Sequence, residues 1–398
     1  MIFIVESSET PIYQRIAVAF CSALRELGHT VHFYDSKEFD DSTFTQVINA
    51  INVDYYLSTN VSNRIHSYNK STNRFNFEDI NHEMIFIHHD SAFSPPNSIL
   101  NINKKLNALI YHQDKINHFF IENNNIKQFN HLGIKNCYSL NHASEFVVQA
   151  HNSEFKHQIS FVGHLMSGLS EYPISRDELG HHLIGLTWNR YSKSTYNIQP
   201  EIDNLCEDPY ILQKLNSPIC HKLSIHRHLM QLVTQFSMAY RGEVISNIKN
   251  HVIDIYGGDL SYGTINNPLM RINRNNIIYH PATNNYADTA SIYADSKISL
   301  NLSSLQFDSA INNRIIDVIL SGGFVLTDRR SNLFEASKLV DEISFDTPEE
   351  MQYLLDFYLH KSNVEKYQEI KMQVFDEFKE KYNYKNVCSK IISDLETK

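Results

Sequence analysis

The sequence predicts an α/β protein built from two parallel sheets, and three observations lead to that prediction. Short buried strands alternate with helical segments along the chain, and parallel strands require helical crossovers of this kind. Residues 297–328 contain one complete unit, with a strand, a polar turn, a helix, a glycine pair and a second strand. At 398 residues, the chain exceeds the size at which one hydrophobic core keeps growing, so we expect two domains.

The amino-terminal strands and helix begin the first predicted sheet. Residues 2–5 form a strand, a helix with apolar residues at helical spacing follows, and Gly28 ends that helix. Further strands are predicted at 30–34, 55–58, 84–88 and 108–111. The segment 60–83 is polar and rich in asparagine, which is typical of a long surface loop.

The unit at 297–328 belongs to the second predicted sheet. Its first strand runs from Ile298 to Leu302, its helix from about Ala310 to Leu320, and its second strand from Phe324 to Thr327. Gly322 and Gly323 stop the helix. Open parallel sheets bind ligands at the carboxyl ends of their strands, so the polar turn after the first strand is a candidate site.

Three polar residues stand where this helix begins: Asn312, Asn313 and Arg314. The backbone N–H groups and the positive end of a helix favour an anion there, and a guanidinium binds phosphate through paired hydrogen bonds. We therefore predict Arg314 as the main phosphate contact, the alternative being a solvated helix residue.

Glycines follow two other predicted strands of this half. Gly163 and His164 follow the strand at 159–162, and Gly257 and Gly258 follow the strand at 253–256. Glycine lets the backbone approach a phosphate or a nucleotide base closely. The alternative for each position is a simple turn.

In their order and spacing, these segments resemble the carboxyl-terminal half of the spore-protein-like (CgeB-type) glycosyltransferases of the GT-B class. The resemblance covers residues 158–385 and rests on the segments QISFVGHL (158–165), IDIYGGDL (253–260), the unit at 297–328 and DEISFDTPEEMQYLLDFYL (341–359). It implies a GT-B fold, in which two Rossmann-like domains face a cleft and a carboxyl-terminal helix crosses back. The expected domains are residues 1–150 for the acceptor, 151–360 for a nucleotide-sugar donor, and 361–398 for helices packing back toward the amino-terminal domain.

The resemblance also implies an activity, that of a hexosyltransferase moving a sugar from a UDP- or GDP-linked donor to a hydroxyl acceptor. Asp317 stands where the family pattern more often shows Glu, and Arg314 is an alternative partner for it. No cofactor is expected beyond the donor itself. A non-catalytic nucleotide-sugar-binding protein and a sugar-nucleotide epimerase of the same fold remain alternatives. The expected donor-binding residues are Gly163, His164, Gly257, Gly258, Asn312, Asn313, Arg314, Asp317, Gly322 and Gly323.

Candidate catalytic bases lie in the first domain. His88, His89 and Asp90 end a predicted strand, and an imidazole beside a carboxylate can deprotonate an acceptor hydroxyl. Neighbouring side chains on a strand point to opposite faces, so we expect only one of the two histidines to point inward. Glu6, at the end of the first strand, is the reserve candidate.

The motifs argue against several other classes of protein. The first turn, residues 6–11, contains two carboxylates and no glycine, so it does not suit a dinucleotide. Asp35 mimics the ribose-binding acid of dehydrogenases, but without that glycine turn we interpret it as a cap or turn residue. No Asp-x-Asp pair occurs, and His221, His226 and His228 are not accompanied by an HExxH pattern, so we expect metal-independent chemistry.

Charge and composition limit the classes of partner that we expect. Lys and Arg total 35 against 45 for Asp and Glu, and the basic residues form no stripe, so we expect no nucleic-acid partner. The five cysteines show no CxxC spacing, which suits reduced thiols in a cytoplasmic protein. No apolar run approaches the length of a membrane helix, so no membrane span is expected.

Overall fold

The computed structural model of the protein describes residues 1–7, 11–35, 43–59, 63–90, 99–146, 148, 154–163, 209, 237, 240–242, 244–257, 275–283, 285–304 and 306–397. These residues divide into two compact units. The first holds the described residues of Met1–Glu145 and Asn383–Lys398, and the second holds the described residues between Phe146 and Tyr382.

The first unit is built on a six-stranded sheet in the order β2-β1-β3-β6-β7-β8, in which all neighbours are parallel. Largely apolar strands such as β1 suit a parallel sheet, because helices cover both faces of such a sheet. The six strands are β1 (Ile2–Ser7), β2 (Thr30–Asp35), β3 (Tyr55–Ser58), β6 (Glu83–His88), β7 (Ile116–Phe120) and β8 (Cys137–Ser139); the antiparallel pair β4 (Tyr68–Asn69) and β5 (Arg74–Phe75) lies apart from them. The first helices are α1 (Pro11–Glu26), α2 (Phe44–Ala50), α3 (Ile99–Tyr111) and α4 (Asn123–His131).

Two predictions for this unit are wrong. The apolar run at 108–111 is the end of helix α3, in which Leu106 and Leu109 are buried at helical spacing, and the strand follows at β7. The segment 60–83 is not a surface loop where the structure describes it. Ile65, Phe75 and Phe77 are buried there and anchor two 3₁₀ turns and the β4–β5 pair.

The second unit is built on another six-stranded parallel sheet, in the order β11-β10-β9-β12-β13-β14. Its strands are β9 (His157–Val162), β10 (Ile253–Tyr256), β11 (Ile277–His280), β12 (Ser296–Asn301), β13 (Val325–Asp328) and β14 (Ser344–Phe345). Its helices are α5 (Tyr286–Ala294), α6 (Asn313–Leu320), α7 (Leu333–Ala336), α8 (Val340–Ile343), α9 (Pro348–Leu359) and α10 (Val364–Lys379).

The predicted strand–helix–strand unit is β12, α6 and β13, with one shifted boundary. Helix α6 begins at Asn313, three residues later than predicted, because Asn312 caps it. The side-chain oxygen of Asn312 accepts a hydrogen bond from the backbone N–H of Ile315 at 3.2 Å. The cap leaves the residues between Asn301 and Asn312 as the polar turn at the carboxyl end of β12.

The last helix, α11 (Tyr384–Glu396), returns to the first unit. It contacts α1, and the rings of Phe20 and Tyr384 meet edge to face with their centroids 5.2 Å apart. This arrangement confirms the predicted helix that crosses back at the carboxyl terminus. No described helix has both the length and the apolar character that crossing a membrane requires.

Candidate functional site

The guanidinium of Arg314 lies at the carboxyl ends of β9 and β12, on the first turn of α6. Its Nη1 donates to Asn301 Oδ1 at 3.0 Å, and its Cζ lies 5.3 Å from the centroid of the Phe161 ring. A cation over an aromatic face is stabilised by the ring quadrupole. These contacts fix a half-buried cation at the edge of the sheet where open α/β folds bind ligands.

Gly163 and Gly257 make room for this cation. A β-carbon on Gly163, whose φ is +153°, would lie 2.2 Å from Arg314 Nη2. A β-carbon on Gly257 would lie 3.2 Å from the carbonyl oxygen of Gly163, and the Gly163 N–H donates to the Tyr256 carbonyl at 2.8 Å. The two predicted glycine turns and Arg314 therefore meet at one place.

A network of hydrogen-bonded amide and hydroxyl side chains supports the position of Arg314. Asn312 donates to Asn301 Oδ1 at 3.2 Å and to Ser303 Oγ at 3.1 Å. Asn301 donates in turn to Thr327 Oγ1 at 2.8 Å. The network joins the ends of β12 and β13 to the cap of α6, so Asn312 has a supporting role beside Arg314.

Asp328, the last residue of β13, anchors a second guanidinium. Its carboxylate accepts hydrogen bonds from Arg330 and from the Ser303 hydroxyl, the latter at 2.9 Å, and the Tyr240 hydroxyl lies 3.4 Å away. The side chain of Arg330 has no exposed surface. Arg330 is thus a buried ion-pair partner that holds the carboxyl end of β13 in place.

A third guanidinium completes the cluster. Arg241 is 5% exposed, and its Nε donates to the Leu302 carbonyl at 3.1 Å. Burial and, to a smaller extent, the neighbouring Arg314 lower its pKa to about 9, while Asp328 opposes the shift. Three arginines, one of them paired with Asp328, lie at this edge of the second sheet, which suits it to an anion.

An aromatic face lies beside the glycine turns. The rings of Tyr256 and His280 are stacked with centroids 4.3 Å apart and 9° between their planes. Asp254 is hydrogen-bonded to His280 Nε2 at 2.6 Å and lies 3.1 Å from His157 Nδ1. Tyr256 and His280 thus place two flat rings near Gly257.

The remaining predicted donor residues lie in different parts of the second unit. Asn313 is half-buried in the first turn of α6, and Asp317 is buried one turn further on; their contact with a donor stays a prediction. Gly322 and Gly323 precede β13 and so lie at the opposite edge of the parallel sheet, where a β-carbon on Gly323 would lie 2.8 Å from the Tyr293 carbonyl oxygen. Gly323 is therefore closely packed, and the contact of both glycines with a donor stays a prediction.

Several predicted positions lie outside the described residues: His164, Gly258, His221, His226 and His228. Among the residues that are described, no group of three or more histidine, cysteine or carboxylate side chains could hold a metal ion.

Glu6 differs from the first-turn residue that the sequence predicts. It lies within β1 and is fully buried, where it accepts hydrogen bonds from the Tyr56 hydroxyl at 2.8 Å and from the Arg64 backbone N–H at 2.6 Å. Burial raises its pKa to about 7, although both hydrogen bonds lower it. The carboxyl group of Glu6 is therefore enclosed by its own partners, and its role as a catalytic base stays a prediction.

His88 and His89 are both buried, which corrects the expectation that one of them faces outward. His88 Nε2 lies 3.1 Å from His118 Nδ1, and His89 Nδ1 lies 3.2 Å from His142 Nδ1. Burial lowers the pKa of His89 to about 4 and that of His88 well below its ordinary value. Strand alternation does not decide the direction of His89, because β6 ends at His88 and the His89 ring packs against Tyr13 and His142.

Asp90 is turned toward the first helix. Its carboxylate accepts a hydrogen bond of 2.5 Å from the hydroxyl of Tyr13, whose ring lies 6.1 Å from that of His89. Asp90, His89 and His142 therefore form one cluster at the carboxyl end of β6, separate from the His88–His118 pair. Their catalytic role stays a prediction.

Sequence reasoning missed Arg241 and Arg330. Arg330 follows β13 by two residues, so the rule that led to Arg314 at the end of β12 applies there as well. Arg241 lies in a helical stretch with no motif of its own, and only the tertiary structure brings it to Arg314.

Two family models match parts of the chain. Residues 242–393 match the family described as glycosyl transferase-like, and residues 12–108 match a domain family of unknown function, DUF6937. No curated protein matches the chain. The predicted relation to the spore-protein-like family is a narrower assignment than this match, and it stays a prediction.

Solved glycosyltransferases share the fold over the whole chain. An α-glucosyltransferase in complex with UDP-glucose and DNA has a TM-score of 0.56 at 10% identity, and the match covers 100% of this chain and 99% of that one. The T4 phage enzyme BGT with UDP and Mn²⁺ has a TM-score of 0.55 at 10% identity, with 99% of both chains covered. Anabaena Alr3699/HepE with UDP has a TM-score of 0.54 at 10% identity, with 100% of both chains covered.

The fold and the family match point in the same direction. The chain has the GT-B fold, which confirms the fold class predicted from the sequence, and residues 242–393 match the glycosyl transferase-like family. The exclusion of nucleic acid is wrong as argued. A net charge of -10 cannot exclude such partners for this fold, because the α-glucosyltransferase that shares it is in complex with DNA.

Proposed function

We propose that the protein is a glycosyltransferase that moves a hexose from a UDP-linked donor to a hydroxyl acceptor without a metal ion. The single observation that carries this proposal is the arginine cluster at the carboxyl edge of the second sheet, where the half-buried Arg314 stands over two glycine turns. The preference for UDP over GDP is drawn from the relatives of the same fold that are in complex with UDP or UDP-glucose.

Charge placement is the chemistry that this cluster offers. As the bond between sugar and diphosphate breaks, negative charge grows on the leaving group, and a preorganised cation stabilises that charge more in the transition state than in the ground state. Arg314 is the least buried member of the cluster and would meet the diphosphate. Arg241 and Arg330 are buried, and they would add positive potential and fix the ends of β12 and β13.

The supporting residues are suited to the rest of a nucleotide. The amide network of Asn301 and Asn312 holds the Arg314 guanidinium at one position, so little side-chain entropy is lost when the donor binds. The stacked rings of Tyr256 and His280 offer a planar apolar face for a base. Both features lie in the second unit.

On the acceptor side we propose His89 as the general base, with Asp90 and His142 setting its orientation. His89 Nε2 has no hydrogen-bond partner among the described residues, while its Nδ1 is paired with His142. Burial lowers its pKa, which keeps the ring in the neutral form that a general base has before it accepts a proton. His88 and Glu6 are enclosed by their own partners and are the weaker candidates.

The test is the release of UDP from UDP-glucose, UDP-galactose and UDP-N-acetylglucosamine, each with and without EDTA, against a panel of hydroxyl acceptors that includes DNA. We expect at least one donor to be consumed in EDTA, with a sugar appearing on an acceptor or on water. Release of a nucleotide-sugar isomer without transfer would identify an epimerase instead. Binding without any turnover across the panel would favour a non-catalytic binding protein.

A further inference from the structure

The Asp328 carboxylate lies at the sheet edge where the donor diphosphate is proposed to bind, although two negative charges repel each other. Its ion pair with Arg330 offsets the charge but does not account for its other hydrogen bonds. The carboxylate also accepts hydrogen bonds from the Ser303 hydroxyl at 2.9 Å and from the Thr327 hydroxyl at 3.2 Å. Ser303 and Thr327 are both fully buried, so these bonds direct their hydroxyl hydrogens inside the fold.

The direction of these two hydroxyls limits what they can do with their other neighbours. A hydroxyl has one hydrogen to donate and two lone pairs that accept. Because the hydrogens of Thr327 and Ser303 point at acceptors on Asp328, both oxygens can only accept from elsewhere. The neighbour of both is Asn301, which lies opposite Thr327 in the parallel register of β12 and β13. Its Nδ2 lies 2.8 Å from Thr327 Oγ1 and 3.3 Å from Ser303 Oγ.

The two hydroxyl oxygens decide which way the Asn301 amide faces. An asparagine amide can present either its oxygen or its NH₂ group to a neighbour. Oxygens that only accept require the NH₂ group, so Oδ1 of Asn301 must face the other way. There it accepts from Asn312 Nδ2 at 3.2 Å and from Arg314 Nη1 at 3.0 Å. A reversed amide would place its NH₂ group against these two donors.

The Arg314 guanidinium depends on this one amide oxygen. Among the described residues, Asn301 Oδ1 is the only acceptor to which the guanidinium donates a hydrogen bond. The amide is neutral, so it orients the cation without cancelling its charge, and no described residue accepts from the other guanidinium N–H groups. A carboxylate in its place would form an ion pair with Arg314 and compete with a phosphate.

We propose that Thr327 is a positioning residue for the donor diphosphate and that it acts through Asn301. The Asp328 carboxylate fixes the direction of the Thr327 hydroxyl, and the hydroxyl fixes the Asn301 amide. The amide oxygen then holds the Arg314 guanidinium. This inference rests on the proposed function, because it explains how the proposed donor site keeps its cation in place.

Two substitutions of Thr327 in the full-length protein separate its hydroxyl from its packing. Thr327→Val removes the hydroxyl and keeps a side chain of similar shape, whereas Thr327→Ser keeps the hydroxyl and removes a buried methyl group. Ser299→Ala is the matched control, since it removes another buried hydroxyl of β12, one that is bonded to Ser160 Oγ at 3.1 Å. Calorimetry measures the melting temperature and the UDP affinity of each protein.

The dissociation constant of UDP should rise by roughly 2- to 12-fold in Thr327→Val, the range expected for the loss of one neutral hydrogen bond. It should keep the wild-type value in Thr327→Ser and in Ser299→Ala. Wild-type affinity in a folded Thr327→Val protein would overturn the inference. An equal loss in Thr327→Ser would overturn it too, because packing would then explain both. If Thr327→Val does not fold, Ser303→Ala removes the second hydroxyl, and the same outcomes apply to it.

Nitrogen-15 NMR of the arginine side chains tests the same inference without UDP. A guanidinium held by Asn301 rotates slowly, so Arg314 should give two separate Nη signals, which are assigned by their absence from Arg314→Lys. The signals should merge in Thr327→Val and stay separate in Thr327→Ser, and separate signals in both would overturn the inference. If the wild-type protein does not bind UDP, the donor proposal fails, and the NMR comparison alone decides whether Thr327 positions Arg314.

Discussion

Gly163→Ala should displace the Arg314 guanidinium without removing it. The added β-carbon would lie 2.2 Å from Nη2 and 2.8 Å from Cζ of Arg314, whereas carbon and its non-bonded neighbours settle at about 3.5 to 4.0 Å. The atoms in conflict belong to the end of a flexible side chain, so the guanidinium must move by roughly 1 Å or more while the strand keeps its place. The substitution is therefore a test of position rather than of charge.

The expected loss follows from the interaction that is misplaced. A hydrogen bond to a charged group contributes about 1.5 to 3 kcal/mol. Because about 1.4 kcal/mol corresponds to tenfold in affinity, the dissociation constant of UDP should rise by roughly 10- to 150-fold. Isothermal titration calorimetry with UDP measures it.

Backbone strain must be separated from this effect. Gly163 has a φ of +153°, so alanine there also carries a conformational cost, of about 1 to 3 kcal/mol. Gly133→Ala is the matched control, since Gly133 has a φ of +83° and its β-carbon would meet nothing within 4 Å. It should lower stability and leave UDP affinity unchanged. Wild-type affinity in a folded Gly163→Ala protein, or an equal loss in both variants, would refute the reasoning.

The remaining predictions concern buried charges and the metal. Asp328→Asn removes the carboxylate from the buried Arg330, and breaking a buried ion pair costs about 3 to 5 kcal/mol of stability. Calorimetry should therefore show a lower melting temperature for the second unit. An unchanged melting temperature would contradict the ion-pair assignment. Lowering the pH from about 7.5 to about 5.5 should destabilise the first unit. In the folded protein the pKa values of His66, His88 and His118 lie below the ordinary value, so the unfolded chain binds more protons below about pH 6.5. The free energy of unfolding should then fall by about 1.4 kcal/mol per group per pH unit. His118→Gln should flatten that dependence, and pH-independent melting of the wild-type protein would argue against buried neutral rings. Donor turnover should persist in EDTA, and complete loss that Mn²⁺ restores would overturn the metal-independent chemistry.

The unit of β12, α6 and β13 could be predicted because its signals are local. Buried strands, a polar turn and a glycine stop are all read within 32 residues, from 297 to 328, and Asn312 to Arg314 fall where parallel sheets bind ligands. The helix boundary shifted only because a side-chain cap at Asn312 decides it. Local chemistry thus predicted the fold of this unit and placed its candidate site residue at the end of β12.

What could not be predicted depends on contacts between distant segments. Arg241 meets Arg314 across 73 positions of sequence, and no spacing rule connects them. His66 lies in an Asn-rich stretch whose polarity indicated a loop, yet Ile65 and Phe77 bury that stretch against the sheet. The strand predicted at 108–111 failed because a short apolar run fits the end of a helix equally well.

The most direct test of the central claim is the affinity of UDP-glucose for wild-type protein, Arg314→Ala and Arg329→Ala, measured by calorimetry under one set of conditions. Arg329 is the control arginine, since it is paired with Asp346 at 2.8 Å and with Asp341 at 3.1 Å. We expect Arg314→Ala to lose at least about tenfold in affinity, the equivalent of about 1.4 kcal/mol, and Arg329→Ala to bind as the wild type does. Equal binding by all three folded proteins, or a loss confined to Arg329→Ala, would contradict a donor site at the carboxyl edge of the second sheet.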